Sequence, residues 1–293
     1  MTSSPYLAPI EDSLSTFKDN IFSGKVLFCT GGGSGICKGM TRAIMRHGAN
    51  AAIIGRNIDR LTETSKELSE QTGKTCIPIR ADVRQPQTLQ DAVRRTIEKF
   101  GRIDFVICGA AGNFMSPISS LSENAFRTVV EIDTLGTYNT VKATIPHVRD
   151  AKGAYIHVST TLHHRGTPYQ IHVSAAKAGV DAMSNVIAVE EGPHGVRSNV
   201  LAPGFTSGTE GMRLMTGKTK VKADGFSTPL GRFTEIQDVA NAAVFLFSPA
   251  ACYITGQIIP VDGGAEHLRG DLFPYPSSVI DPSSVRKLLK GKM

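Results

Sequence analysis

From residue 26 to residue 261 the chain alternates short apolar runs with longer stretches of helical periodicity. This alternation constrains the fold more than any single motif does. Apolar runs fall at 26–29, 51–54, 75–79, 105–108, 154–159, 197–201 and 257–261. Between them, helical patterns occupy 38–47, 61–71, 89–100, 125–147, 172–191 and 238–247, several of them closed by glycine (Gly48, Gly73, Gly101, Gly192). Strands that alternate with helices must run parallel and be joined by crossovers. The expected class is therefore α/β: a Rossmann-type doubly wound parallel sheet with helices on both faces, in a single domain. The strand runs are apolar throughout, as burial on both faces requires. Right-handed crossovers bring the βα loops to one edge of the sheet, where ligands bind.

A length of 293 residues suits one such domain, and a 41% apolar composition supplies a large core. The expected organisation is an arm over 1–23, a dinucleotide-binding catalytic domain over 24–270, and a tail over 271–293 containing Pro274, Pro276 and Pro282. The net charge of +6 suits a polyanionic small ligand. No block of like charges resembles a nucleic-acid-binding arm, so no nucleic-acid partner is expected. The five cysteines, Cys29, Cys37, Cys76, Cys108 and Cys252, form no C-x-x-C pair. They read as free thiols, with no metal expected. His163, His164 and His172 cluster before Lys177 but read as loop histidines rather than ligands. No apolar stretch approaches the ~20 residues needed to span a membrane. Glu11, Asp12 and Asp19 precede the first arginine, Arg42, which argues against a mitochondrial transit peptide. Gly291-Lys292-Met293, following Arg286, Lys287 and Lys290, has the small–basic–hydrophobic form read by the peroxisomal import receptor, although the favoured first residue there is serine.

The turn Thr30-Gly31-Gly32-Gly33-Ser34-Gly35-Ile36-Cys37 follows the first strand and opens a helix. Its glycines let backbone approach a pyrophosphate seated on the helix N-terminus. The second strand ends in Gly55-Arg56, where an acid would select NAD through the ribose 2′-hydroxyl. Arginine instead matches a 2′-phosphate, so the expected cofactor is NADPH. Lys38 and Arg42 add positive charge nearby.

The glycine turn resembles the T-G-x-x-x-G-x-G motif of the short-chain dehydrogenase/reductase family, with Cys37 in place of its last glycine. Asp82-Val83 is similar to that family's adenine-binding pair. Gly109-Ala110-Ala111-Gly112 stands at its Asn-Asn-Ala-Gly position, Pro203-Gly204 at the loop against the nicotinamide, and Asp262-Gly263-Gly264 at its last strand ending. The resemblance implies cofactor contacts from Gly31, Gly33, Ser34, Gly35, Ile36, Arg56, Asp82, Val83, Lys177, Pro203 and Gly204. Of the family's Asn-Ser-Tyr-Lys catalytic set, only Lys177 remains. Asp133, Thr160 and Val173 hold the other positions.

Loss of the tyrosine leaves three readings open: a dinucleotide-binding protein without catalysis, another enoyl-CoA or keto reductase, or an enzyme that protonates carbon rather than a carbonyl oxygen. Ala110-Ala111-Gly112-Asn113-Phe114, Glu131-Ile132-Asp133-Thr134, Asp82-Val83-Arg84 and Gly208-Thr209-Glu210-Gly211 resemble segments of 2,4-dienoyl-CoA reductases, chiefly their peroxisomal branch. The mitochondrial branch has a catalytic tyrosine where Leu162 stands here. The resemblance implies Asp133 and Lys177 as catalytic residues, Asn113 as donor to the thioester oxygen, Phe114 as a wall of the acyl channel, and Arg84 and Arg213 as contacts for an acyl-CoA thioester. It also implies a homodimer or homotetramer.

Overall fold

The structure, a computed structural model, describes residues 11–212, 228–268 and 276–281. Among these, β1 (Val26–Thr30), β2 (Asn50–Gly55), β3 (Cys76–Arg80), β4 (Phe105–Cys108), β5 (Ala154–Val158), β6 (Arg197–Pro203) and β7 (Ile258–Val261) form one seven-stranded sheet. All its pairings are parallel, in the order β3-β2-β1-β4-β5-β6-β7. The chain winds outward from β1 to β3 and then returns past β1 to β4. The β1–β4 seam is therefore the topological switch point at which this class of sheet opens a ligand crevice. Thr30 lies level with Ile54 on one side and Cys108 on the other, so the loops after β1, β2 and β4 emerge together.

The helices are α1 (Ser13–Thr16), α2 (Gly35–Arg46), α3 (Ile58–Thr72), α4 (Pro86–Phe100), α5 (Glu123–Val130), α6 (Gly136–Ala151), α7 (Ile171–Glu191), α8 (Ile236–Phe247) and α9 (Ser277–Ile280). Their starts and stops follow local chemistry. Asn57 caps α3, its Oδ1 accepting from Arg60 N at 3.0 Å, and Gly73 ends the helix in the left-handed region. Pro86 opens α4, where no backbone donor is needed.

Apolar side chains fill both faces of the sheet. On one face α2, α3 and α8 bury Met40, Ile44, Leu61, Leu68, Val239 and Val244. On the other, Leu89 and Val93 of α4 and Val148 of α6 pack with Val106 and Tyr155. Burial of each large apolar side chain contributes about 1.5–3 kcal/mol. The one polar atom of buried Tyr155 is satisfied, its hydroxyl lying 2.9 Å from Thr144 Oγ1.

Two features differ from the sequence expectation. The helix expected over 125–147 is interrupted: a π turn, Glu131–Leu135, separates α5 from α6, and α6 continues past Pro146 to Ala151. Residues 11–23, read as an arm, pack onto the sheet where they are described. Phe22 is buried with its ring 5.2 Å from that of Phe105, and Ser13 Oγ meets His47 Nε2 at 2.9 Å.

Candidate active site

A cleft of about 1120 Å³ runs along the carboxyl ends of the strands. Its first half is built for a phosphate-bearing ligand. The turn after β1 passes so close to the loop after β4 that a Cβ on Gly31, whose φ is +73°, would lie 2.6 Å from Gly109 O. Only glycine fits there, and its bare backbone faces the cleft together with Gly33, Ser34 and Gly35 at the N-terminus of α2. Cys37 stands where the family motif has glycine, and Gly109 makes room for it. A Cβ on Gly109 would lie 2.1 Å from Cys37 Sγ. The extra volume at 37 is thus matched by a missing side chain at 109.

Arg56 lines this half of the cleft, with the acid Asp59 and two arginines that the sequence reading missed, Arg60 and Arg80. Arg80 ends β3 in register with Gly55, and Arg60 Cδ would be 3.7 Å from a Cβ on Gly33. The available signal was strand register: the residue ending β3 must emerge beside the residue ending β2. Lys38 is instead engaged with Glu67 at 2.5 Å. Asp82 and Val83 line the cleft where the adenine end of a dinucleotide would lie, and Pro203 and Gly204 border its other half.

The second half centres on a buried ion pair. The π turn points Asp133 inward, fully buried. Its Oδ1 accepts from Gly112 N at 2.8 Å, and Oδ2 lies 3.0 Å from Lys177 Nζ. No hydrogen bond of good angle closes on Oδ2, so it meets the ammonium as a charge contact and keeps lone-pair capacity. Lys177, on α7, also donates to Val158 O at 2.8 Å. That carbonyl takes one of its three donors, and the ammonium keeps donor capacity for a ligand. Val173, one turn earlier, is buried among Val129, Ala176 and Phe114, so the position of the usual phenol is apolar. Thr160 and Leu162 line the cleft, and Ser159, a polar residue the sequence reading missed, has a buried Oγ with no partner.

Asn113 lines the same half, and its Oδ1 is buried without a partner, an arrangement that an incoming donor would complete. Phe114 does not line the cleft. Its ring stacks on His172 with centroids 4.2 Å apart. Arg84 is likewise not among the residues lining the cleft, and it is engaged with one that is. Its Nε donates to Asp82 Oδ1 at 3.0 Å and its Nη2 to Oδ2 at 2.5 Å, and this guanidinium holds the Asp82 carboxyl below the usual carboxylate range. Arg213 lies outside the described residues. The loop histidines close on carboxylates: His163 Nε2 is 2.7 Å from Asp181 Oδ2, and His164 Nδ1 is 2.7 Å from Glu266 Oε2. These contacts tie the loop after β5, one wall of the cleft, to α7 and to the segment after β7.

A family model described as Enoyl-(Acyl carrier protein) reductase matches residues 31–266. The chain is 43% identical over 271 residues to a peroxisomal 2,4-dienoyl-CoA reductase of Saccharomyces cerevisiae named as (3E)-enoyl-CoA-producing, with 90% of this chain and 92% of that protein covered. It is similar in structure to a short-chain type dehydrogenase/reductase from Mycobacterium ulcerans, with a TM-score of 0.83 at 30% identity, covering 93% of this chain and 99% of that one. A 3-ketoacyl-(acyl-carrier-protein) reductase from Brucella melitensis, solved with NADH, superposes with a TM-score of 0.77 at 26% identity over 84% of this chain and 99% of that one.

Proposed function

This chain belongs to the short-chain dehydrogenase/reductase family, on its peroxisomal 2,4-dienoyl-CoA reductase branch, and from that premise we infer how its own residues carry the reaction. It is an oxidoreductase that reduces 2,4-dienoyl-CoA thioesters to enoyl-CoA in the β-oxidation of unsaturated fatty acids, and its setting is the peroxisome. Its cofactor is a nicotinamide dinucleotide, which supplies hydride when bound. NADPH is the form proposed, because Arg56, Arg60 and Arg80 converge at the end of β2 where a 2′-phosphate would lie. The residues that hold it are the glycine turn with Ser34 and Ile36, Arg56, Asp82 and Val83, Lys177, and Pro203-Gly204.

The observation that carries the reading is the buried Asp133–Lys177 pair beside an apolar residue at the phenol position. Hydride entering at C5 of the dienoyl chain leaves an enolate of the thioester. Asn113 and the spare donor of Lys177 stabilise the enolate oxygen. Proton delivery must then go to carbon, and a (3E) product, as named for the yeast relative, requires delivery to C2. Asp133 Oδ2 orients a water toward C2. That water gives up its proton and draws a replacement from the Lys177 ammonium beside it. Val173 widens the channel for the acyl chain without touching protons.

Arg213 and the tripeptide Gly291-Lys292-Met293, both outside the described residues, complete the proposal as a CoA contact and as the ligand of the peroxisomal import receptor. A homodimer or homotetramer is proposed, supported by exposed Tyr138 on α6 and exposed Val186 and Val189 on α7. No helix among the described residues is long and apolar enough to cross a membrane.

Purified protein mixed with NADPH and a 2,4-dienoyl-CoA is expected to consume NADPH, and to do so far more efficiently than NADH. Arg56→Asp should narrow or invert that preference. Equal efficiency with the two cofactors in the unmodified protein contradicts the assignment of Arg56.

A further inference from the structure

His172 lies one residue before Val173 at the start of α7 and is fully buried. Its Nε2 is 3.0 Å from the carbonyl oxygen of Phe114. A carbonyl only accepts, so Nε2 carries the hydrogen and the tautomer is fixed. Burial pushes the imidazolium pKa down, more than the Phe114 carbonyl and the charge of Asp133 raise it, so the ring is neutral at working pH. Its Nδ1 is then a bare lone pair, buried with no partner. The face of the ring stacks on Phe114, with an interplanar angle of 26°. Gln170 Nε2 donates to the same Phe114 carbonyl at 3.2 Å, and Ser116 N donates to Tyr169 O at 3.1 Å. Residues 113–116 are therefore strapped to 169–172 by three hydrogen bonds and one ring stack. This strap adjoins Asn113, which lines the cleft.

We propose that His172 is a positioning residue for the reduction: by donating to the Phe114 carbonyl and stacking on the Phe114 ring, it sets the amide of Asn113 against the thioester oxygen as the enolate forms. The inference rests on the dienoyl-CoA reading and deepens it. An oxyanion donor is effective only where it is held before charge develops, and a displacement of about 1 Å can cost about a hundredfold. A loop of this length, with no regular secondary structure over 113–117, does not hold such a position by itself. The His172 contact ties this loop to α7, the helix that carries Lys177, so both groups proposed to face the enolate are braced by one rigid element.

The experiment measures kcat, KM for a 2,4-dienoyl-CoA, and NADPH affinity for the wild type, His172→Phe, His172→Gln, Asn113→Ala and the double variant His172→Phe/Asn113→Ala. His172→Phe keeps the stack and loses the donor. It should lower kcat about ten- to a hundredfold while KM and NADPH affinity stay within about threefold. His172→Gln keeps an N–H at similar reach and should restore most of the loss. If His172 acts through Asn113, the double variant is no slower than Asn113→Ala by more than about twofold. His172→Phe turning over like the wild type, or losses that multiply in the double variant, overturn the proposal. Where His172→Phe also loses NADPH binding, His172→Gln decides: turnover within about threefold of the wild type supports the donor's role, and a fall as large as that of Asn113→Ala overturns it. A wild type that does not reduce the dienoyl-CoA overturns the functional reading and this inference together, an outcome distinct from the others.

Discussion

At residue scale, Asp133 and Lys177 are the proposed stand-ins for the phenol that the family usually carries. The pair is buried, 3.0 Å apart, and anchored on both sides, by Gly112 N on the carboxylate and Val158 O on the ammonium. Such a pair adds little net stability, since desolvation offsets attraction, so its place in a cleft argues for chemistry. Asp133→Asn keeps size and one acceptor but removes the negative charge that would orient the water beside the Lys177 ammonium. Its kcat should fall by about 10²–10⁴-fold with NADPH affinity nearly unchanged. Lys177→Ala should lose both kcat and cofactor affinity, because the same ammonium is proposed to hold the nicotinamide ribose as well. Steady-state kinetics with NADPH titrations separate the two, and near-normal turnover in Asp133→Asn would reduce Asp133 to a structural anchor. Both residues were legible in the sequence because they sit at fixed offsets in recognisable segments. The engagement of Arg84 with Asp82 was not legible, nor was the stack of Phe114 on His172. Each depends on which way a side chain turns in space, and spacing along the chain carries no record of that.

At the scale of elements, the strands were readable almost residue by residue: β4 falls on the 105–108 run, and β1 and β5 differ from their expected runs by a single residue at one end. Buried parallel strands announce themselves through uninterrupted apolar runs bounded by glycine. The π turn did not announce itself. One added residue shifts the helical phase by about 100°, and over five residues this cannot be told from ordinary variation in a 3.6-residue pattern. Yet the turn is what points Asp133 inward. Strand β5 has a separate consequence. His157 is fully buried on it, with Nε2 3.0 Å from Ser198 Oγ, and burial pushes its pKa down to about 4. Between about pH 6.5 and pH 4 the unfolded chain takes up a proton that the folded chain refuses, so stability falls as pH falls through this window. Complete titration removes about 3 kcal/mol. His47 and His172, also lowered by burial, act in the same direction. Urea midpoints at pH 7 and pH 5 should therefore differ clearly in the wild type and less in His157→Gln. Identical pH slopes in the two proteins would remove His157 from this role.

At the scale of the whole molecule, a seven-stranded parallel sheet gathers loops from all seven strand ends along one cleft, so the proposed meeting of cofactor and acyl thioester falls at the carboxyl edge that the β1–β4 switch point opens. The same edge cannot tell the cell where to send the protein. That role is proposed for the tail, and a fluorescent fusion with a free C-terminus should be punctate, dispersing when Gly291-Lys292-Met293 is deleted. Diffuse signal from the intact tail contradicts that assignment. The central claim concerns the fate of the proton: in the proposed reaction hydride enters at C5 and the water held by Asp133 protonates C2, with Val173 taking no part. The direct measurement is to run the reaction in deuterium oxide with unlabelled NADPH and locate the label in the product by NMR. The account predicts one deuterium at C2, none at C5, and a double bond between C3 and C4. Deuterium at C4 with a double bond between C2 and C3 would contradict it.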